Sequence, residues 1–219
     1  MTPRWLQVGV IRAYDRGMPS DVSPSDVPRI VDLDRRAVEL SVRIVSQARP
    51  ADLGRATPCA GWSLRDLLEH MIAQHHGFAA ASAGRGDDPR SWQQDRHDDP
   101  VAAYATAAEN VLAAFAEPGT LRRSFALPEI SQTLQFPATQ AISFHFVDYV
   151  VHGWDVSRSL GLPFELDDDL ARAALRVAAR VPDGPERLAP GAAFAPGVPA
   201  SPGATPVDQI VAALGRSPG

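Results

Sequence analysis

A chain of 219 residues that is 45% hydrophobic and 21% charged has the composition of a globular protein with one sizeable core. Its net charge of -5 argues against nucleic acid as a partner, because binding phosphates needs a basic surface. Cys59 is the only cysteine, which excludes an intrachain disulfide and a multi-cysteine zinc site. The chain has no lysine, and its arginine-rich, alanine-rich composition is typical of a GC-rich bacterial genome.

The N-terminal part of the chain predicts neither a signal peptide nor a membrane anchor. No apolar run approaches the roughly 18 residues that cross a bilayer, so we expect a cytoplasmic protein with no membrane partner. Residues 1–28 are interrupted by prolines and are interpreted as an extension, with either Met1 or Met18 as the start. We predict one domain over residues 29–219.

Apolar residues at helical spacing predict four long helices and two shorter ones. Ser63 and Asp66 have the spacing of a capping box at the start of the second helix, and Asp26 and Asp167 are candidate caps for the first and fifth. Residues 120–136 are expected to be irregular or extended. The helices are predicted at about 27–49, 63–83, 100–117, 137–160, 167–180 and 206–214. The sequence therefore predicts an all-α protein, an antiparallel four-helix bundle with a short C-terminal helical decoration.

The segment from Phe144 to Asp155 carries the clearest functional signal. Asp148 and His152 are four residues apart in a predicted helix, so their side chains lie on one face and can converge on a point. Such convergence of oxygen and nitrogen donors is typical of a metal site. The alternative is a buried salt link between the two side chains, since a buried carboxylate needs a partner.

A third metal ligand would come from the second helix, which holds His70, His75 and His76. His75 lies near the centre of the apolar stripe of that helix, and His70 lies on its flank. Periodicity does not choose between these two residues, and a hydrogen-bonded core histidine remains the alternative for either.

Two sequence blocks carry a resemblance to a known family. The first is TPCAGWSLRDLLEH, from Thr57 to His70, and the second is Asp148-x-x-x-His152-Gly-Trp-Asp155. Both resemble actinobacterial DinB-like metal-binding proteins, the superfamily that includes mycothiol-dependent maleylpyruvate isomerases. The end of the chain, Val207 to Arg216, resembles one branch of it. The similarity runs from about residue 30 to the end.

This resemblance implies a metal site and a class of chemistry. The ligand positions of the family fall on His70, Asp148 and His152, which leave coordination positions open as in catalytic zinc sites. Zn²⁺ is expected first, and Ni²⁺, Fe²⁺ or Mn²⁺ would accept the same ligands. The implied function is a thiol transferase or isomerase that uses mycothiol on a small molecule, with His145 either shuttling a proton or only packing. A homodimer is also implied.

Two alternatives stay open: a non-catalytic protein in which the metal staples helices together, and a metal-dependent hydrolase. The chain also departs from the isomerases in two respects. Asp148 stands where they usually have glutamate, so we expect the metal closer to its helix or more weakly bound. Too few residues follow Gly161 for their second lobe, which argues against carrying over the isomerase reaction unchanged.

Overall fold

A computed structural model describes residues 27–188 and 194–218. Residues 1–26 of the predicted extension, including Asp26, the predicted cap of the first helix, lie outside these ranges, and residues 27 and 28 belong to the first helix. Four long helices form the body of the protein: α1 at Val27–Val45, α2 at Leu64–Ser82, α3 at Pro100–Ala116 and α4 at Ala138–Leu160. Two shorter helices follow, α5 at Asp168–Ala178 and α6 at Pro206–Ala213. The predicted helices are confirmed, with α1 ending four residues before the expected position.

The helix ends follow from local chemistry. The Ser63 hydroxyl accepts the backbone N–H of Asp66, and the Asp66 carboxylate accepts the backbone N–H of Ser63, so the predicted capping box is formed. Asp167 caps α5 as predicted. At the C-terminal end of α4, Gly161 adopts the left-handed conformation, with φ of 71°. Glycine adopts this conformation at little cost because it has no Cβ.

The bundle has two pairs of parallel neighbours. Helix α1 packs along α4, and α2 packs along α3. Along α2 the chain passes from His70, beside His152, to His75, beside His145, so α2 runs antiparallel to α4. Parallel neighbours need a long crossover, and residues 83–99 supply it between α2 and α3. His97 near the end of this crossover contacts Glu69 near the start of α2.

Three apolar clusters fill the protein. One lies at the end of the bundle where α2 begins and α4 ends, and a second lies at the opposite end. The third joins α1 and α4 to the outer helices α5 and α6. The predicted extended segment forms a two-stranded antiparallel hairpin, β1 at Ser124–Ala126 and β2 at Gln135–Pro137. No helix within the described ranges combines the length and the apolar character needed to span a bilayer.

Candidate metal centre

The three predicted ligands come together between α2 and α4. His70, Asp148 and His152 each offer a donor atom, and these atoms all lie within 4.8 Å of one another. His70 comes from the second turn of α2, which the capping box at Ser63 starts at a fixed place. Its ring lies 5.4 Å from that of His152, and the ring of Trp62 packs on it at 4.9 Å. One helix therefore contributes a nitrogen ligand and the other an oxygen and a nitrogen.

The distance between the two donors on α4 discriminates between a salt link and an ion site. Asp148 Oδ1 lies 3.4 Å from His152 Nε2. A charge-assisted N–H···O hydrogen bond is about 2.7–2.9 Å long, so the observed separation is too long for a strong direct link. Two ligands about 2.0–2.1 Å from one tetrahedral ion lie roughly 3.3 Å apart. The donor set therefore fits a divalent ion.

Buried polar groups behind His152 fix the orientation of its ring. His152 Nδ1 lies 2.9 Å from Asp155 Oδ2, which leaves Nε2 directed to the side of Asp148. Asp155 is fully buried and also accepts a hydrogen bond from Arg216 Nη2 at 3.0 Å. Carboxylate–histidine pairs of this kind select the tautomer and the ring orientation at metal sites.

The electrostatics give the two histidines different protonation states at neutral pH. Burial lowers the pKa of His70 to about 4, with a further contribution from His152, so His70 is neutral and can bind a cation. Burial also acts to lower the pKa of His152, but the nearby carboxylates, Asp148 first, raise it to about 10. Burial opposes ionisation of Asp155, whereas Arg216 and His152 lower its pKa to about 2.

A second group of potential ligands lies on the other side of the His152 ring. Cys59, Asp155 and His152 also bring donor atoms within 4.8 Å of one another. Here, however, Arg216 occupies the space with its positive charge: its Nη2 lies 3.0 Å from Asp155 Oδ2 and 3.6 Å from Cys59 Sγ. A cation would be repelled by this guanidinium, so the geometry favours the His70 side for an ion.

His145 lies in a buried polar network. Its Nδ1 is 2.6 Å from Asp34 Oδ1 and its Nε2 is 3.0 Å from His75 Nδ1. All three side chains are fully buried, and the His75 ring stacks on Tyr149 at 3.9 Å. Both ring nitrogens of His145 are thus occupied by side chains. Its role as a proton shuttle stays a prediction.

Comparisons with known proteins assign this chain to a family. The profile described as the mycothiol maleylpyruvate isomerase N-terminal domain matches residues 35–157, more than half of the chain. This chain belongs to that family. The matched range contains the three ligands predicted for this chain, together with Asp155, whereas Arg216 lies beyond it.

Proteins with sequences similar to this chain include two of Mycobacterium tuberculosis, uncharacterized protein MT0763 from strain CDC 1551 and uncharacterized protein Rv0738 from strain H37Rv. Each is 32% identical over 183 residues, which are 84% of this chain and 95% of the relative.

The crystal structure of the mycothiol-dependent maleylpyruvate isomerase matches with a TM-score of 0.52 at 15% identity, over 76% of this chain and 70% of that one. A variant of that isomerase with histidine replaced by alanine gives 0.51 at the same identity and coverage. At this identity the likeness establishes the fold.

Several residues around the centre of this family member were missed by sequence reasoning. Glu129 lies on the connection between β1 and β2, and its Oε2 accepts a hydrogen bond from Gln74 Nε2 at 2.8 Å. Gln74 follows His70 by one helical turn, so the two side chains lie on the same face of α2. Asp34 and Arg216 were not among the predicted site residues, although Arg216 ends the C-terminal block that resembles one branch of the superfamily. Apolar residues precede and follow Asp34 at helical spacing, and the structure buries its carboxylate completely.

Proposed function

We propose that this protein binds a divalent metal ion, Zn²⁺ foremost, through His70, Asp148 and His152. We further propose that it serves as a transferase or isomerase in which a low-molecular-weight thiol of the mycothiol type reacts with a small electrophile. The observation that carries the proposal is the convergence of three donor atoms from two helices within 4.8 Å. Membership of the mycothiol maleylpyruvate isomerase N-terminal domain family supports the choice of thiol.

Each residue has a defined part in this proposal. A Zn²⁺ ion with an open coordination position supplies Lewis acidity, which lowers the pKa of a coordinated thiol. His70 meets the ion as a neutral imidazole because burial lowers its pKa to about 4. Asp148 supplies the negative charge, and Asp155 holds the His152 ring in place. Trp62 covers one side of His70.

The partial exposure of Asp148 favours a site that small molecules can reach. The side chain of Asp148 is 25% exposed, whereas that of His152 is 8% exposed. A ligand set with one face toward solvent and only three protein donors is typical of a catalytic zinc site, in which a substrate or water takes the remaining position. A closed structural site has four protein ligands.

Isothermal titration of the zinc-loaded protein with mycothiol tests the proposal. The matched control ligand is an analogue in which the cysteinyl sulfur is replaced by hydrogen, so that all other contacts remain. We expect mycothiol to bind the zinc-loaded protein, and both the desthio analogue and the metal-free protein to lose at least about tenfold in affinity, one factor of ten being about 1.4 kcal/mol.

Equal binding of the two ligands would contradict the proposal. A bound zinc ion with no measurable affinity for mycothiol would favour the metal-stapled binding protein. Zinc-dependent cleavage of esters or amides without thiol would favour the hydrolase.

A further inference from the structure

A carboxylate outside the ligand set lies on the connection between β1 and β2. Glu129 is half-buried there, and Gln74 Nε2 donates a hydrogen bond of 2.8 Å to its Oε2. Gln74 follows His70 by one turn of α2, so the two side chains lie on the same helix face. Glu129 is thereby attached, through one amide, to the helix face that carries the proposed metal ligand.

Among the residues that the structure describes, Glu129 lacks the positively charged partner that a buried structural carboxylate usually has. Within the described ranges, Glu129 has no ion pair with an arginine or histidine, and Gln74 is its only hydrogen-bond partner. Burial raises the pKa of Glu129, and the negative charge of Asp148 raises it further, while the hydrogen bond from Gln74 lowers it. The negative charge of Asp148 thus opposes ionisation of Glu129 unless a cation or a proton offsets it.

We propose that Glu129 is the proton-transferring residue of this centre and that Gln74 positions it. This inference rests on the proposed function. When a thiol binds, its S–H bond breaks, the electron pair stays on sulfur and the proton passes to the Glu129 carboxylate. When sulfur then adds to an electrophilic double bond, the π electrons move to the adjacent atom, which takes the proton back from Glu129. The reverse sequence releases the free thiol, so no oxidant or reductant is consumed.

The other titratable groups near the centre are less suited to this task. Both ring nitrogens of His145 are engaged, one by Asp34 and the other by His75, and the ring is fully buried. Asp155 is also fully buried, and it is held by Arg216 and His152. Glu129 combines partial exposure with a single, uncharged partner, as a group that exchanges protons with a substrate requires.

The decisive experiment counts protons released when mycothiol binds the zinc-loaded protein, by titration calorimetry at pH 7 in buffers of different ionisation enthalpy. A free thiol has a pKa of about 8.5, so it enters protonated. If Glu129 receives the proton, we expect the wild type to release almost none to the buffer and Glu129→Gln to release about one per thiol bound. Glu129→Ala should behave like Glu129→Gln, which guards against an effect of the amide itself.

The matched control is Glu109→Gln on the exposed face of α3, which should release no more protons than the wild type. Zinc affinity should be unchanged within about twofold in all three variants, since neither Glu129 nor Glu109 is one of the three predicted metal ligands. Equal proton release by the wild type and both Glu129 variants would overturn the assignment while leaving the proposed function intact. Failure of the wild type to bind mycothiol would reject the proposed function and this inference together.

Discussion

Helices α2 and α4 bring a pair of histidine rings together at two levels of the bundle. At one level the rings of His70 and His152 lie 5.4 Å apart, and at the other the rings of His75 and His145 lie 5.1 Å apart. A carboxylate accompanies each pair. The two levels thus use the same residue types, with the histidines on the same two helices, but the carboxylate of the second level, Asp34, comes from α1.

The two levels differ in what the polar atoms face. At the first level, Asp155 takes His152 Nδ1 from behind, and Nε2 is left to converge with His70 and Asp148. At the second level, both ring nitrogens of His145 are hydrogen-bonded, one to Asp34 and the other to His75. These three side chains are inaccessible to solvent. The first arrangement leaves three donor atoms that converge, whereas the second uses both nitrogens of His145 in hydrogen bonds and leaves His75 Nε2 and Asp34 Oδ2 buried without a partner among the described residues. Partnering, rather than residue type, separates a candidate metal centre from a polar core.

The largest effect on stability is expected at the buried level. Asp34→Ala should lower the free energy of unfolding by about 3–5 kcal/mol, because it leaves a buried histidine network without its carboxylate. Denaturant unfolding of the metal-free protein measures this loss. The control is Asp32→Ala on the exposed side of α1, where an exposed ion pair contributes at most about 1 kcal/mol. The zinc affinity of Asp34→Ala should equal that of the wild type. A large loss of zinc affinity with little change in the free energy of unfolding would show that Asp34 belongs to the metal centre and not to the polar core.

Replacement of a predicted metal ligand should lower zinc affinity much more than it lowers stability. His70→Ala removes one of the three donors, and zinc affinity should fall by at least about 100-fold, beyond the range that indirect contacts reach. Competition with a chelator of known affinity measures the change. His76→Ala, on the exposed face of the same helix, should bind zinc like the wild type. Similar zinc affinities in the two variants would show that His70 is not a ligand.

An intermediate effect is expected from the group behind His152. Asp155→Asn keeps the shape of the side chain but removes the charge that orients His152 and pairs with Arg216. Zinc affinity should fall by about 10–100-fold. Asp168→Asn, at the solvent-exposed start of α5, is the matched control and should leave zinc affinity unchanged. An unaltered affinity in Asp155→Asn would mean that the orientation of His152 does not depend on this hydrogen bond.

Per pH unit, the pH dependence of zinc binding is expected to be the smallest of these effects on zinc affinity. With its pKa raised to about 10, His152 carries a proton at neutral pH in the metal-free protein, and zinc must displace it. His70, with its pKa lowered to about 4, carries none. Zinc affinity should therefore rise about tenfold per pH unit from about pH 6 to pH 9. A plateau above pH 7, as an ordinary histidine would produce, would contradict this account of His152.

The sequence predicted the helices closely because their signals are local. The capping box at Ser63 and Asp66, the glycine at 161 and the apolar spacing act within a few residues of each element. The direction of the helices follows from long-range packing, so the prediction of an antiparallel bundle did not include the parallel pairing of α2 with α3.

The candidate site was predicted in part, for a similar reason. Asp148 and His152 share one helix, so their convergence is a matter of spacing. The choice of His70 over His75 came from family resemblance, because helical periodicity treats both as residues that face the bundle. Glu129 contacts Gln74, and Arg216 contacts Asp155, and both come from irregular segments far away in sequence. Such segments have no periodic pattern from which the direction of a side chain could be predicted.

Metal content tests the central claim most directly. The wild-type protein and His152→Ala would be purified without a metal-affinity column, loaded with zinc, dialysed and subjected to elemental analysis. We expect about one zinc ion per wild-type chain and almost none in His152→Ala, because His152 supplies the nitrogen that completes the three-ligand set. A wild-type protein that retains no zinc, or a variant that retains as much as the wild type, would contradict the account.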